Sequence, residues 1–107
     1  MTIRDPRPDI MAMLLDEAAA AAAAGEVPVA AAVTDAEGAI IALAQNRMRR
    51  DGSALHHAEM QVLADALALR GSERLEDCDL WVTLEPCTMC AGAIALARIR
   101  RLYFAAR

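Results

Sequence analysis

Apolar and polar positions follow two different periods in the first half of the chain. From Pro8 to Ala24 the apolar positions recur every three or four residues, which predicts a helix, and Gly25 follows as the residue that would end it. The buried face of this helix is predicted to contain Ile10, Met13, Leu14, Ala18 and Ala21. Two runs of small and β-branched residues, Val27–Thr34 and Ala39–Ala44, flank a four-residue turn with a glycine and predict a β-hairpin.

The second half of the chain alternates predicted helices and strands. Residues 46–55 are polar and predict a loop, and helical spacing resumes over His57–Leu69. A strand is predicted over Asp79–Leu84, a short helix over Cys87–Leu96 and a last strand over Arg101–Ala105. The order α-β-β-α-β-α-β predicts a layered α/β fold with one early hairpin and parallel later strands.

The composition indicates a single domain with an aliphatic core. The 107 residues suffice for one domain, residues 1–107, and much of the 57% hydrophobic content is alanine. The aromatic residues are Trp81, Tyr103 and Phe104. The basic residues are all arginine, and the net charge of −4 argues against nucleic-acid binding over the whole surface.

The cysteines and the first residues of the chain indicate its cellular compartment. The first residues carry charges and two prolines instead of an apolar leader, and no uncharged apolar run is long enough to span a bilayer. Three cysteines in a chain without a leader do not predict a disulfide framework. A cytoplasmic protein without membrane contact is therefore expected.

The last predicted strand reaches the end of the chain without a following element. Its residues Leu102, Tyr103 and Phe104 would form an apolar edge, which proteins usually cover. We therefore expect either a missing C-terminal segment or a partner that covers this edge.

Cys87 and Cys90 are three positions apart in the stretch TLEPCTMCAGAI, and this spacing has three interpretations. A thioredoxin-like redox pair is one, because such pairs begin a helix after a strand. A structural four-cysteine zinc site is another, but Cys78 is the single cysteine that remains. A catalytic zinc site needs one further ligand and keeps one coordination position open.

The tripeptide His57-Ala58-Glu59 offers that further ligand, one helix and one strand before Cys87. Both ligand groups are predicted at N-terminal helix ends, just beyond the carboxyl edge of neighbouring parallel strands, where open α/β sheets bind ligands. One imidazole and two thiolates would hold one Zn²⁺ with a water in the fourth position, and the metal would lower the pKa of that water. Glu59 could then move protons between this water and a leaving group.

Neighbouring residues compete for some of these roles. His56 is an alternative ligand, although the His-Ala-Glu spacing favours His57. Cys78 is expected to be a small apolar residue at the start of a strand. Glu85 is interpreted as a surface acid or as a residue that orients the turn at Pro86.

His-x-Glu together with Pro-Cys-x-x-Cys is a signature of zinc nucleobase deaminases. The chain resembles the cytidine and deoxycytidylate deaminase superfamily and, within it, the bacterial tRNA-specific adenosine deaminases. The resemblance runs through Glu26–Val29, Asn46-Arg47, His57–Met60, Asp79–Ile94 and Ala97–Arg107. It implies a three-layer α/β/α, cytidine-deaminase-like fold with a mixed sheet, and a single zinc-dependent deaminase domain.

The resemblance also implies an activity, hydrolytic conversion of adenosine to inosine at the wobble position of a tRNA anticodon. By motif, the ligands of one Zn²⁺ per chain would be His57, Cys87 and Cys90. Glu59 would be the catalytic proton shuttle, and Asn46 and Ala58 would contact the substrate. Judged without the resemblance, Asn46 is equally a loop-capping residue after a strand. Members of this family act as homodimers on a tRNA anticodon loop.

The chain departs from the family pattern in three places. The family's Asp-Pro-Thr-Ala before the ligand histidine is Ser53–His56 here, which bears on base preference. The family's glycine after Glu-Val-Pro-Val is Ala30, whose side chain is expected to limit how closely another group can approach the backbone there. The family continues past Arg107 with a strand and basic helices, so a C-terminally truncated domain is predicted.

Three functions are therefore compared. The first is the tRNA adenosine deaminase, and the second is a deaminase of a free base or nucleoside such as guanine, cytosine or adenine. The altered loop before His57 and the modest charge favour the second. The third is a catalytically incomplete zinc-binding module that pairs through its exposed strand edge. Binding to RNA should weaken steeply with salt, whereas turnover of a small base should not.

Overall fold

The computed structural model describes residues 8–107 and contains every helix and strand that the sequence predicts. Its helices are α1 (Pro8–Ala23), α2 (Met48–Asp51), α3 (Ala58–Arg70) and α4 (Thr88–Ala97). Its strands are β1 (Ala30–Thr34), β2 (Ile40–Gln45), β3 (Asp79–Leu84) and β4 (Arg101–Ala106). Two predicted extents are wrong, since β1 begins at Ala30 rather than Val27, and the predicted loop 46–55 contains α2. None of the helices within residues 8–107 is long and apolar enough to cross a bilayer.

The strands form one mixed sheet in the order β2-β1-β3-β4. Strand β1 is antiparallel to β2 and β3, and β3 is parallel to β4, so the predicted hairpin and the predicted parallel pair are confirmed. The prediction that the strands before α3 and α4 are neighbours is wrong, because β1 lies between β2 and β3. All five residues of β1 are buried, and the backbone groups of such a strand need a hydrogen-bonding neighbour on each side.

Helices cover both faces of the sheet, which gives the predicted three-layer α/β/α arrangement. Helix α1 packs through Ile10 and Leu14 on one face, against Ala30 and Trp81. Helices α3 and α4 cover the opposite face, where the alternate strand residues Ala31, Val33, Leu80 and Val82 are buried. The layer of α3 and α4 carries the residues of the predicted metal site.

Strand β4 lies at an edge of the sheet that residues 8–107 form, but it is better covered than the sequence predicts. Tyr103 is 2% exposed and stacks on Trp81 with their ring centroids 4.2 Å apart. Leu102 and Phe104 point to the other face and are half-buried against its core. The apolar character of this strand is therefore largely explained by packing on both faces of the sheet.

Candidate metal centre

His57 lies at the N-terminal end of α3, where the backbone changes from extended to helical. Its φ and ψ are −71° and 153°, and its side chain makes no hydrogen bond to the helix terminus. The Oδ1 atom of Asn46 takes that role, because it accepts a hydrogen bond of 2.7 Å from the backbone N–H of Ala58. The imidazole of His57 extends toward α4 instead.

Cys87 occupies the same position in α4 that His57 occupies in α3. Its φ and ψ are −72° and 176°, and Cys90 follows on the same side of the first helical turn. The Nδ1 atom of His57 is 3.6 Å from Sγ of Cys87 and 3.5 Å from Sγ of Cys90. The structure therefore brings together three residues that are up to 33 positions apart in the sequence.

The donor set of this cluster fits a zinc ion. One imidazole nitrogen and two thiolate sulfurs are ligands that Zn²⁺ prefers, and three protein ligands leave a fourth tetrahedral position open. The ligand atoms of His57, Cys87 and Cys90 lie within 4.8 Å of one another, so these residues are positioned to bind a metal ion. The N-termini of α3 and α4 also favour the ionised thiolates through their partial positive charge.

Glu59 lies in the first turn of α3, two residues after His57, and is 4% exposed. Burial raises the pKa of its carboxyl group, although its own backbone N–H, the charge of His57 and the thiol of Cys90 act in the opposite direction. Burial also raises the pKa of the Cys90 thiol, and the nearby charge of Glu59 adds to this effect. The carboxyl group is thus adjacent to the ligand cluster without belonging to it.

A pocket of about 150 Å³ opens beside the cluster. Its apolar walls are formed by Val27, Val29, Met48 and Leu84. Its other lining residues are Asn46, His57, Glu59, Glu85 and Cys87. Apolar walls with a few polar groups are typical of pockets that bind small organic ligands in one orientation.

Asn46 is 4% exposed and connects the pocket to the start of α3. Because its Oδ1 atom accepts the N–H of Ala58, the amide NH₂ group remains for a ligand in the pocket. The loop-capping role considered for Asn46 is therefore present in the structure. Contact with a purine stays a prediction. Ala58 is fully buried and contributes to the site through its backbone N–H.

His56, the alternative ligand, is engaged elsewhere. Its Nδ1 atom is 2.8 Å from Oδ2 of Asp51, and Arg47 donates two hydrogen bonds to the same carboxylate. The hydrogen bonds from Arg47 and His56 lower the pKa of Asp51 to about 2. Leu55, the residue before His56, is 61% exposed. The segment before His57 is thus held by an ion-pair cluster outside the metal site.

Ala30 replaces the family's glycine without lining the pocket. It is fully buried in the cluster under α1, on the face of the sheet opposite α3 and α4. Its methyl group can therefore limit how closely α1 approaches the backbone of β1, but it does not restrict the metal centre.

The sequence alone assigns no role to Glu26 or Met48, yet both belong to the surroundings of the pocket. Met48 lines it directly, and the side chain of Glu26 is fully buried against the backbone of α2. The available signal was a charged residue next to the apolar run that begins at Val27, since buried charges require specific partners.

The fold and this cluster define a class of protein, an α/β domain with an open, three-ligand metal centre at the N-termini of two helices. Within that class, the family described as the cytidine and deoxycytidylate deaminase zinc-binding region matches residues 6–106. The chain belongs to this family.

Similar proteins agree with this placement. A tRNA-specific adenosine deaminase from Agrobacterium fabrum is 46% identical over 94% of this chain and 66% of its own length. A solved structure from a study of A-to-I editing by tRNA:A34 deaminases is 47% identical, with a TM-score of 0.89 over 94% of this chain and 72% of the other. Guanine deaminase from Bacillus subtilis also has a TM-score of 0.89, at 32% identity, over 95% of this chain and 65% of the other. The chain thus spans about two thirds of the length of these proteins.

Proposed function

We propose that this chain catalyses the zinc-dependent hydrolytic deamination of adenosine to inosine at the wobble position of a tRNA anticodon. The observation that carries the proposal is the convergence of His57, Cys87 and Cys90 beside a pocket that also contains the carboxyl group of Glu59. The adenosine substrate is inferred from the relatives named as tRNA-specific adenosine deaminases, which are 46% and 44% identical in Agrobacterium fabrum and Bacillus subtilis.

The metal ligands are proposed to be His57, Cys87 and Cys90, which would hold one Zn²⁺ per chain. A zinc ion held by these residues would lower the pKa of a water in its open coordination position toward neutrality. Cys87 is exposed and lines the pocket, so the cluster can be reached from the pocket.

Glu59 is proposed to move the proton during the reaction. One of its carboxylate oxygens would accept a proton as the oxygen of water bonds to C6 of the base. The same oxygen would then give the proton to the leaving amino group as the bond from C6 to nitrogen breaks, so that ammonia departs. Burial of Glu59 excludes bulk water and keeps this proton at the reacting atoms.

Asn46 and Ala58 are proposed to orient the base. The backbone N–H of Ala58 fixes the amide of Asn46 by its oxygen, so the amide NH₂ can donate a hydrogen bond to an acceptor nitrogen on the purine. The aliphatic walls of the pocket at Val29 and Leu84 would contact the faces of the ring.

The proposal is tested by measuring ammonia release from the zinc-loaded protein. The substrates are an anticodon stem-loop, adenosine, adenine, guanine, cytosine and cytidine. Release from the stem-loop is expected, and Glu59→Gln should lower kcat by about 10²–10⁴-fold without loss of bound zinc. The matched control is Glu73→Gln, a change at an exposed glutamate after α3. Bound zinc with no release from any substrate would contradict the proposal and favour an incomplete zinc-binding module.

A second candidate is the deamination of a free base, with guanine as the first choice. It is favoured by the similarity to guanine deaminase and by the carboxylate of Glu85 at the pocket, since a carboxylate accepts hydrogen bonds from N–H groups such as those of guanine. Release of ammonia from guanine at a rate that barely changes with salt would support this candidate, because RNA binding weakens steeply as salt rises.

We also infer that the protein acts as a homodimer in the cytoplasm. The dimer is inferred from the family resemblance and from the exposed apolar residues of α4, among which Leu96 is 78% exposed. The compartment is inferred from three cysteines that are all unpaired, which is typical of a reducing environment.

A further inference from the structure

Glu26 is a buried carboxylate outside the metal centre. Its side chain has no exposed surface, and its backbone N–H bonds to the carbonyl oxygen of Ala21 near the end of α1. Two backbone N–H groups of α2 donate to it, from Arg49 to Oε1 at 3.1 Å and from Arg50 to Oε2 at 2.8 Å. Nε of Arg50 lies 3.4 Å from Oε2. Each carboxylate oxygen therefore has a donor on α2.

The N-terminus of helix α2 depends on this carboxylate because no local side chain caps it. Its first N–H groups lack partners inside a helix of four residues, and Arg47, which precedes it, makes no side-chain capping bond. Glu26 supplies from 23 positions away the acceptors that a capping side chain normally supplies. Burial opposes the ionised form, but the N–H donors and the charge of Arg50 outweigh it and lower the pKa of Glu26.

The segment held by Glu26 carries two lining residues of the pocket. Asn46 lies two positions before the start of α2, and Met48 is the first residue of α2. Arg50 ties α2 back to Asn46, because its guanidinium donates a hydrogen bond of 3.2 Å to the carbonyl oxygen of Asn46. Val27, the residue after Glu26, lines the same pocket. Glu26 thus connects two parts of the pocket lining that are distant in sequence, Val27 through the chain and α2 through hydrogen bonds.

We propose that Glu26 is a positioning residue, which holds α2 so that the amide of Asn46 is presented to the substrate. It acts through the backbone of α2 and touches neither the base nor the metal. The proposal rests on the proposed function as far as the ligand of the pocket is concerned. The link from Glu26 to Asn46 stands independently of that function.

The test compares Glu26→Gln with Glu37→Gln, which makes the same change of charge at an exposed residue of the hairpin turn. Glutamine keeps the shape of Glu26 but presents an NH₂ donor to one of the two N–H groups, so one hydrogen bond is lost. Amide hydrogen exchange of the zinc-loaded protein should become about tenfold faster at Arg49 or Arg50 and at Ala58, whose N–H depends on Asn46. Exchange in α1 and β3 should not change.

The second readout is kinetic and separates positioning from catalysis. Glu26→Gln should raise KM for the anticodon stem-loop by about tenfold and leave kcat within about twofold, because an interaction that orients the bound base is weakened. Bound zinc should remain at one ion per chain. In an Asn46→Ala background the change at Glu26 should have little further effect on KM, because the two residues act as one unit.

The outcomes distinguish this inference from the proposed function. If the wild-type chain deaminates nothing, the proposed function fails, and exchange at Ala58 alone decides whether Glu26 positions Asn46. Faster exchange at Arg49 or Arg50 with unchanged exchange at Ala58 would overturn the inference. An unchanged KM, or equal effects of Glu26→Gln and Glu37→Gln, would overturn it as well.

Discussion

The three cysteines show how strongly the surroundings of a residue decide its chemistry. Cys87 is exposed at the start of α4, Cys90 is buried beside Glu59, and Cys78 is buried in the core. Burial raises the pKa of the Cys78 thiol to about 11, and the hydrogen bond to Asp77 adds to this effect. The expectation that Cys78 is a small apolar residue is confirmed by its place among the core side chains.

We predict that thiol alkylation of the folded, metal-free protein at pH 8 modifies Cys87 first. At that pH a thiol with the pKa of Cys78 has about one thiolate in a thousand molecules, and its burial blocks the reagent as well. Added zinc should protect Cys87, because a ligated thiolate is unavailable for alkylation. Peptide mass spectrometry at successive times measures the order. Modification of Cys78 as fast as Cys87 would contradict the prediction.

At the scale of elements, the helices that the sequence predicts are those long enough to show a helical period in their own residues. Helix α3 ends before Gly71, which has a φ of 61° and supplies the left-handed residue that closes the helix. Helix α2 ends at a similar glycine, Gly52 with a φ of 62°, but four residues cannot display a helical period, and the acceptors for its first N–H groups come from Glu26. It could not be predicted from the local sequence because the contact that stabilises it is distant.

Two glycines of these helices should respond in opposite directions to the same substitution. Gly71→Ala forces a left-handed backbone on a residue with a side chain and should lower the free energy of unfolding by about 1 kcal/mol. Gly92 lies inside α4, and a Cβ there would meet nothing within 4 Å. Gly92→Ala should therefore raise the free energy of unfolding by about 0.5–1 kcal/mol. Urea unfolding monitored by circular dichroism measures both. Equal signs for the two variants would contradict this account.

At the scale of the whole molecule, the residues of the candidate metal site were predictable and the order of the strands was not. His57, Cys87 and Cys90, which are positioned to bind a metal ion, have a spacing that follows from one helix, one strand and one helical turn. The central position of β1 depends on which strands pair, and a run of alanines contains no signal for that choice. Because β1 pairs with a strand on each side, β2 lies at the edge of the sheet. The three residues of the candidate metal site still come together, because α3 and α4 lie on the same face of the sheet.

A metal ion at this centre would connect α3 to α4, so its removal should lower the thermal stability of the whole domain. A ligand that binds the folded chain at a hundred times its Kd adds about 2.7 kcal/mol, which corresponds to a rise in Tm of roughly 10–20 °C for a domain of this size. We predict such a rise when zinc is added to chelator-treated protein, with a smaller rise at acidic pH because the thiols must lose their protons.

The matched variants for this measurement are His57→Ala and His56→Ala. The first removes a ligand and should abolish most of the zinc-dependent rise in Tm, because two thiolates alone bind the ion more weakly. The second removes the neighbouring imidazole, which pairs with Asp51, and should leave the rise intact while it lowers the Tm of the metal-free protein slightly. Differential scanning calorimetry measures the Tm of each variant with and without zinc. If His56→Ala lost the rise and His57→Ala kept it, the ligand would be His56, and the chain before α3 would have to turn its two histidines the other way when the metal binds.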